Sequence, residues 1–363
     1  MKFLLLCKRY YTNRDLIEDR FGRLFHLPLQ LVRAGNEGLV MALDYRDENT
    51  VETRVDGLRF VSLPLTAGQV PKFPGNLRRG LNSFRPDLVI ASGDSHIGAL
   101  GALVARRRSI PFVFDVYDDY RVFGTNRIPG MKMMFRLALR RADLVIFASE
   151  LLQRQTMHRS SSSLVLENGV DRELFRRIDR EEARAAAGVT DAGPVIGYFG
   201  SIGSMHGVET LIEATRSLRA DYPGLCLLLA GQMGLDLDLD LQLPWIDYRG
   251  LIDQTGVPGL INACDVVVIP YHRGPQVDVS NACKLAEYLA CEVPVVSTDI
   301  ADYAKYITDA PQAICKPGDA ADLARSIKAQ IEHPQLAPFP DMLAWESLGR
   351  RLSAALGELV VLQ

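Results

Sequence analysis

The most constraining feature of this sequence is the alternation of short, almost continuous apolar runs with longer amphipathic segments. A strand covered on both faces of a sheet needs such a run, because neither of its faces meets water. Alternating strands and helices in turn favour parallel sheets with right-handed crossovers. The runs that predict buried strands are KFLLLC (2–7), PDLVIAS (86–92), PFVFDV (111–116), ADLVIFAS (142–149), SLVLEN (163–168), PVIGYFG (194–200), LCLLLAG (225–231), DVVVIPY (265–271) and PVVSTD (294–299). Helical patterns between them include residues 15–35, 280–291 and 319–333.

The length of the chain, 363 residues, exceeds one ordinary core and predicts two domains. The segment DREEARAAAGVTDAG (179–193) is charged, then rich in alanine, then turn-forming, and a new strand follows it. We therefore predict an α/β protein of two doubly wound Rossmann-like domains, residues 1–185 and 190–344, that face each other across a cleft. A last helix within 345–363 is a candidate to pack back on the first domain. Ligands of such sheets bind beyond the carboxyl ends of the strands.

The composition, 48% hydrophobic and 23% charged, is typical of a globular protein in water. The opening MKFLLLC is too short to span a bilayer and lacks a cleavage pattern, so we expect a cytoplasmic location. The six cysteines show neither CxxC nor metal-ligand spacing, and we interpret them as reduced core thiols. We expect no cofactor, no required metal and no nucleic-acid partner.

The net charge of −3 hides an asymmetry between the halves. Residues 1–180 contain 29 Lys and Arg against 20 Asp and Glu, a balance of +9, and the remainder carries −12. A basic half attracts anionic partners, such as a membrane surface or a phosphorylated acceptor.

A glycine-rich loop follows the first strand of the second half, in GYFGSIGSMHGVETLIEA (197–214). Gly200, Gly203 and Gly207 permit tight turns, and the helix expected near Val208 offers free N–H groups to an anion. The loop itself has no Lys or Arg.

A second segment, SNACKLAEYLAC (280–291), supplies charged groups for such a site. Ser280 is an N-cap candidate, and Lys284 and Glu287 lie three residues apart on one helix face. An ammonium group and a carboxylate in this order suit a nucleoside diphosphate, the first meeting phosphate and the second accepting from the ribose hydroxyls. The alternative is an exposed Lys–Glu pair with no ligand.

The order of these motifs resembles the donor-binding domain of family four retaining glycosyltransferases with the GT-B fold. The matching stretches are GYFGSIGSMHGVETLIEA, YRGLI (248–252), ACDVVVIPY and KLAEYLACEVPVVSTD, with ENGVDRELF (167–175) before the linker and residues 86–120 in the acceptor-domain region. The resemblance implies a nucleotide-sugar donor in the second domain and a glycan or lipid-linked acceptor. It also implies transfer with retention, in the biosynthesis of a surface polysaccharide or glycolipid.

The resemblance also implies roles for individual residues. Glu287 would hold the ribose, the backbone of Gly250 and Leu251 would touch the base, and the glycine loop would meet the pyrophosphate. The family usually has an Arg and a Lys in that loop, where this chain has Ser201 and His206. Lys284 would then be the main counter-charge, with His206 as a pH-dependent helper.

Two further departures from the family concern the donor sugar and the acceptor. A second Glu expected eight residues before Glu287 is replaced by Val279, with Asp278 beside it. The family's common His stands where this chain has Tyr117, and Asp118 is a candidate to fill that role.

Candidate catalytic residues in the first half follow two apolar strands, in GDSH (93–96) and DVYDDY (115–120). Asp94, His96 and Asp118 could orient or deprotonate an acceptor hydroxyl. Asp94 could equally cap a helix, and His96 could be a satisfied polar residue at a helix start.

Basic residues of the first half suggest acceptor or membrane contacts. Arg14, Arg20 and Arg23 are candidates to bind an acceptor, or else pair with nearby carboxylates on a helix surface. Lys132, Arg136 and Arg140 recur every four residues and form a stripe that fits an anionic bilayer, or else a solvated helix face.

Two other functions remain open from the sequence. A nucleotide-sugar 2-epimerase shares the fold but needs more acid–base groups at the donor sugar than Val279 and Asp278 provide. A non-catalytic nucleotide-sugar-binding subunit would explain the missing cations and the missing Glu.

Overall fold

The computed structural model describes residues 1–11, 14–157, 162–190, 193–234, 237–281 and 283–361, and the chain divides into two compact units. The first unit is Met1–Gly169 together with Trp345–Gln363, and the second is Val170–Ala344. Each unit is an α/β sheet structure of the Rossmann type. Across the described residues, we find no helix long and apolar enough to cross a bilayer.

The first unit is built on an eight-stranded sheet in the order β10-β9-β8-β7-β1-β4-β6-β5. All neighbours pair in parallel except the edge strand β5, which is antiparallel to β6. The strands are β1 (Lys2–Lys8), β4 (Glu37–Asp44), β5 (Glu52–Val55), β6 (Leu58–Pro64), β7 (Leu88–Ser92), β8 (Phe112–Val116), β9 (Leu144–Phe147) and β10 (Ser162–Val165), with a separate hairpin of β2 (Tyr10–Tyr11) and β3 (Arg14–Asp15). Because β1 lies between β4 and β7, the strand order reverses at β1, which is where such sheets bind ligands.

In its described residues this unit has six α-helices: α1 (Arg23–Arg33), α2 (Phe73–Phe84), α3 (Ser95–Arg108), α4 (Met131–Arg141), α5 (Glu150–Thr156) and α11 (Trp345–Val361). The helix expected over 15–35 begins only at Arg23, which corrects its start. The Asp15 carboxylate accepts from the backbone N–H of Ile17, and Gly22 has a φ of 69°, so a turn precedes the helix.

The carboxyl-terminal helix α11 packs against α1 of the first unit. Its Trp345 ring stacks on His26 at 5.3 Å between centroids, and Gly349 lies against the side chain of Gln30. Arg351 donates to the carbonyl of Val165 at 2.7 Å. These contacts tie the end of the chain to the first sheet.

The second unit is built on a six-stranded parallel sheet in the order β13-β12-β11-β14-β15-β16. Its strands are β11 (Val195–Phe199), β12 (Cys226–Ala230), β13 (Ile246–Tyr248), β14 (Val266–Ile269), β15 (Val295–Thr298) and β16 (Ile314–Cys315). Its helices are α6 (Arg180–Ala187), α7 (Val208–Leu218), α8 (Val257–Asn262), α9 (Cys283–Ala290) and α10 (Ala320–Glu332). The strand order reverses at β11, between β12 and β14.

The boundary between the units lies at Gly169 and Val170, earlier than the expected break at 185–190. The reason is α6, because residues 180–185 were placed in the first domain but this helix is held by the second sheet. Arg184 of α6 donates to the carbonyl of Ala263 at 3.0 Å and pairs with Asp265 at 2.6 Å.

Candidate functional site

The glycine loop leaves the carboxyl end of β11 and leads into α7, as the sequence predicts. Gly200 has a φ of 144°, a backbone conformation that other residues rarely adopt. A short 3-10 turn, Ser204–His206, follows, and Gly207 immediately precedes α7. No side chain within the described ranges caps this helix, so its first N–H groups are available to an anion.

Two more loops meet the glycine loop at the same edge of the sheet. A Cβ atom on Gly231, after β12, would overlap the carbonyl oxygen of Gly200, so the two backbones are in direct contact. The N–H of Gly231 donates to the carbonyl of Gly250, after β13, at 2.7 Å. The next residue, Leu251, is 70% exposed. The structure therefore brings Gly250 and Leu251 next to the glycine loop.

Lys284 of α9 reaches the underside of this loop. Its side chain is buried, and Nζ lies 2.6 Å from the hydroxyl of Tyr271 and 3.1 Å from that of Tyr198. A Cβ atom on Gly200 would lie only 2.5 Å from Nζ. Gly200 is therefore the residue that lets the ammonium group come this close to the loop.

The charge of Lys284 is poorly compensated within the described part of the second unit. Burial lowers the pKa of Lys284 to about 7, and the carboxylate of Glu287, one turn along α9, opposes this shift only in part. The phenols of Tyr198 and Tyr271 stay neutral, since burial raises the pKa of both well above the ordinary value. An anion bound at Gly200 would stabilise the charged form of this lysine.

The remaining loop residues surround the same two tyrosines. The His206 ring lies 5.2 Å from the Tyr271 ring, edge to face, and the carbonyl of Ser201 accepts from Tyr198 at 2.6 Å. Tyr271 thus contacts both His206 and Lys284. The structure gathers Gly200, Ser201, Gly203, His206, Gly207, Gly250, Leu251, Lys284 and Glu287 along one edge of the second sheet.

Two expectations about residues before α9 need correction or refinement. Ser280 is not the N-cap, because α9 begins at Cys283 and the Ser280 hydroxyl donates to the carbonyl of Val277 at 2.9 Å. Val279, where the family's second Glu would stand, is 2% exposed. Its neighbour Asp278 is partly exposed, 3.7 Å from Arg273.

In the first unit, Asp94 and His96 stand at the start of α3. Asp94 occupies the N-cap position but makes no side-chain cap hydrogen bond, and it forms an ion pair with Lys8 at the end of β1. Nε2 of His96 lies 2.7 Å from the Tyr45 hydroxyl. The pKa of His96 is lowered, mainly by burial. The charge of the Asp94 carboxylate opposes this shift, and the charge of Lys8 adds to it. In the described structure, Nδ1 of His96 is buried without a hydrogen-bond partner.

Asp118 lies in the loop after β8. Its carboxylate accepts from the backbone N–H of Asp119 at 2.8 Å. Burial raises the pKa of Asp118 to about 6, and the nearby charges of Asp119 and Asp94 add to the effect. A carboxylate of this basicity is ionised at neutral pH and suits general base chemistry. Asp94 and His96 follow β7 and Asp118 follows β8, so all three lie beyond the carboxyl ends of two neighbouring strands of the first sheet.

The three candidate acceptor arginines lie in different environments. Arg23 is 3% exposed, and its guanidinium donates to both oxygens of Asp115 and to the carbonyls of Leu166 and Glu167. Arg23 is thus part of a buried ion pair, which corrects its assignment as an acceptor contact. Arg20 is exposed, and the guanidinium of Arg14 lies 5.0 Å from the ring centre of Phe21. The latter two remain candidates.

Sequence reasoning missed the partners of the candidate residues. Tyr198, Tyr271 and Tyr45 stand at or just beyond the ends of buried strands, and their phenols hold Lys284 or His96. A polar-tipped aromatic at such a position is the signal that could have identified them.

Known proteins resemble the chain in both halves. Residues 193–333 match the family described as Glycosyl transferases group 1, and residues 24–161 match the family described as Glycosyl transferase 4-like domain. The putative teichuronic acid biosynthesis glycosyltransferase TuaC of Bacillus subtilis is 27% identical over 69% of this chain and 62% of that protein. The chain spans between 42% and 62% of the lengths of the first curated relatives it matches.

Two solved structures share the fold at low identity. Sucrose-phosphate synthase from Thermosynechococcus elongatus has a TM-score of 0.78 and 17% identity, with both chains fully covered. Anabaena HepE in complex with UDP-glucose has a TM-score of 0.73 and 18% identity, over 99% of this chain and 100% of that one. From its two domain matches and its pair of Rossmann-like units, the chain belongs to the glycosyltransferases with the GT-B fold.

Proposed function

We propose that the chain is a retaining glycosyltransferase that moves a sugar from a nucleotide-sugar donor to a glycan or lipid-linked acceptor. The observation that carries this proposal is the buried ammonium of Lys284 directly beneath Gly200, at the strand-order reversal of the second sheet. Among the described residues, no carboxylate is in direct contact with this cation, and no side chain caps the helix start beside it; such a cation at a glycine loop suits a diphosphate.

The donor would bind along the loops of the second unit. Its diphosphate would accept from the N–H groups that follow Gly207 and from Lys284, with His206 as a weaker contact. Glu287 would accept from the ribose hydroxyls, and the base would lie at Gly250 and Leu251. The complex of HepE with UDP-glucose supports a nucleotide sugar as the donor.

In the reaction, the bond between the sugar C1 and the diphosphate oxygen breaks, and a bond from C1 to the acceptor oxygen forms on the same face. Asp118 takes the proton of the acceptor hydroxyl as general base, and the diphosphate leaves as the anion. Stabilisation of the departing diphosphate is then the main catalytic contribution. Because Lys284 and the helix N–H groups meet this charge, we propose that transfer needs no metal and continues in the presence of EDTA.

The setting of the reaction is proposed from the relatives and the cysteines. TuaC is described as acting in teichuronic acid biosynthesis, which favours a surface polysaccharide or glycolipid product. Five of the six cysteines are buried and all six are free, which is typical of a reducing compartment. We therefore place the protein in the cytoplasm, peripherally at the inner face of the membrane.

A second candidate, a non-catalytic nucleotide-sugar-binding subunit, is favoured by one observation. Val279 is buried at the position where the family resemblance implies a carboxylate for the donor sugar. Such a subunit would bind the nucleotide sugar without hydrolysis or transfer.

The test has two stages. A thermal-shift panel of UDP, GDP, ADP and CMP identifies the base, because specific binding stabilises the fold by mass action. The matching labelled nucleotide sugars are then incubated with the protein, with and without lipid extract as acceptor. Donor hydrolysis or transfer supports the proposal, binding without turnover supports the subunit, sugar interconversion supports a 2-epimerase, and no stabilisation by any nucleotide contradicts all three.

A further inference from the structure

The segment from Tyr120 to Ala142, which contains α4, is strongly basic. It carries six cations and no acidic residue: Arg121, Arg127, Lys132, Arg136, Arg140 and Arg141. Lys132, Arg136, Arg140 and Arg141 are all exposed, and none of them has an ion-pair partner in the described parts of the chain. A helix face that only meets water normally mixes charges of both signs. This one does not.

The same segment exposes an unusual share of apolar side chains. Of the 12 large hydrophobic residues that are exposed in the described structure, five lie between 122 and 137. Met133 is 70% exposed, Ile128 53% and Leu137 45%, with Val122 and Met134 also in the set. These exposed side chains therefore do not contribute to the core of the first unit.

The orientation of α4 explains this exposure. Phe135 and Ala138 are its only buried residues. Phe135 packs on Phe114 at 5.8 Å between ring centres, and Ala138 lies where a side chain on Gly98 of α3 would have to be. The opposite face carries two rows that run along the helix. One row is Lys132, Arg136 and Arg140, and the adjacent row, about 100° round the helix, is Met133 and Leu137.

We propose that this face of α4, with Ile128 before it, docks on an anionic bilayer. Met133, Leu137 and Ile128 enter the boundary between headgroups and acyl chains, and the cation row contacts lipid phosphates. A bilayer offers both the apolar phase and the negative charge that the two rows require, whereas an acidic protein surface would leave Met133 and Leu137 without an apolar partner. The docking does not depend on the donor site, and it would bring the first unit to a lipid-linked acceptor.

The expected affinity change follows from the composition of the face. Each cation near an anionic surface raises the affinity for the membrane about fivefold. Removing three cations therefore lowers this affinity about 100-fold. Replacing two inserted apolar side chains with serine lowers it by about tenfold or more. Salt screens the first contribution and leaves most of the second.

The experiment is co-sedimentation of the full chain with phosphatidylglycerol–phosphatidylcholine vesicles and with phosphatidylcholine vesicles, at low and moderate salt. The variants are Lys132→Gln/Arg136→Gln/Arg140→Gln and Met133→Ser/Leu137→Ser. A matched triple variant, Arg216→Gln/Lys316→Gln/Arg350→Gln, removes the same charge from other exposed positions, and Leu336→Ser controls for lost exposed apolar area. Far-UV circular dichroism and thermal melts verify that each variant is folded.

The proposal predicts binding to the anionic vesicles alone, loss in both α4 variants, and wild-type binding in both controls. In a separate readout, Met133→Trp shifts its fluorescence to shorter wavelength on these vesicles. Three results would overturn the proposal: no binding at low salt, an equal loss in the matched triple variant, or full binding by Met133→Ser/Leu137→Ser. So would binding to soluble polyglutamate with no uptake by vesicles. Nucleotide thermal shifts, measured on the same samples, report separately on the donor site.

Discussion

Replacing Lys284 with methionine tests the donor site at its centre. Methionine keeps most of the length of the side chain and removes the ammonium group. In the wild type that group lies 2.6 Å from Tyr271, 3.1 Å from Tyr198 and directly under Gly200. If it also meets the diphosphate, the variant loses a charge-assisted hydrogen bond worth about 1.5–3 kcal/mol, which is about a 10- to 150-fold loss of affinity.

The same substitution should leave the fold intact, which separates it from a structural defect. Burial holds the pKa of Lys284 near 7, against an ordinary value of 10.5. Between these values the unfolded chain binds the proton and the folded chain releases it, so the wild type gains stability as pH rises. Below pH 7 the wild type carries a buried charge that Lys284→Met lacks. Lys284→Met is therefore at least as stable as the wild type at pH 6. From pH 7 to 9 the free energy of unfolding of the wild type rises relative to that of the variant.

Calorimetric titration with the nucleotide identified by the thermal-shift panel measures the first effect, and urea unfolding at pH 6 and pH 9 measures the second. Donor affinity of the wild type should fall as pH rises above 7, because binding then requires proton uptake. The phenols of Tyr198 and Tyr271, which hold this ammonium, stay neutral in this range because burial raises the pKa of both well above the ordinary value. His206→Ala is the comparison variant and should lose much less affinity. Equal, small losses in both variants would refute the assignment of Lys284.

Three other substitutions test the remaining geometry. Gly200→Ala should weaken nucleotide binding at least tenfold and lower the free energy of unfolding by about 1–3 kcal/mol, because Gly200 has a φ of 144° and an added Cβ would meet Lys284. The control Gly259→Ala places a Cβ in open space on α8 and should be neutral or mildly stabilising. Asp118→Asn should lower kcat/KM about 10²- to 10⁴-fold and abolish the loss of rate that the wild type shows as pH falls through about 6; an unchanged profile would exclude Asp118 as a base. Arg23→Ala should cost about 3–5 kcal/mol in urea unfolding by leaving Asp115 unpaired, whereas the exposed Arg33→Ala should cost little; a similar, small cost in both would contradict a buried ion pair.

The sequence predicted the sheets best where strands are buried on both faces. The apolar runs 2–7, 86–92, 111–116, 194–200 and 225–231 all contain strands of the two sheets. It missed β5 and β13, whose residues are only half-buried or exposed and whose place in the sheet depends on neighbours far along the chain. It also missed β4 and β6, although β4 is almost entirely buried.

The candidate site was predictable in its charged and glycine residues and not in its contacts. The position of Lys284 three residues before Glu287 could be seen in the sequence. The two phenols that hold its ammonium come from β11 and from the loop after β14, so only the folded sheet brings them together. Arg23 illustrates the opposite error. It follows the charged stretch RDLIEDR (14–20), but the fold buries it against Asp115, 92 residues away.

The most direct test of the account is a crystal structure of the chain with the nucleoside diphosphate selected by the thermal-shift panel. We predict electron density for the diphosphate at the loop 200–207, with one phosphate oxygen about 3 Å from Nζ of Lys284 and others within reach of the N–H groups that follow Gly207. A diphosphate bound well away from this loop, with Lys284 still held only by Tyr198 and Tyr271, would contradict the account.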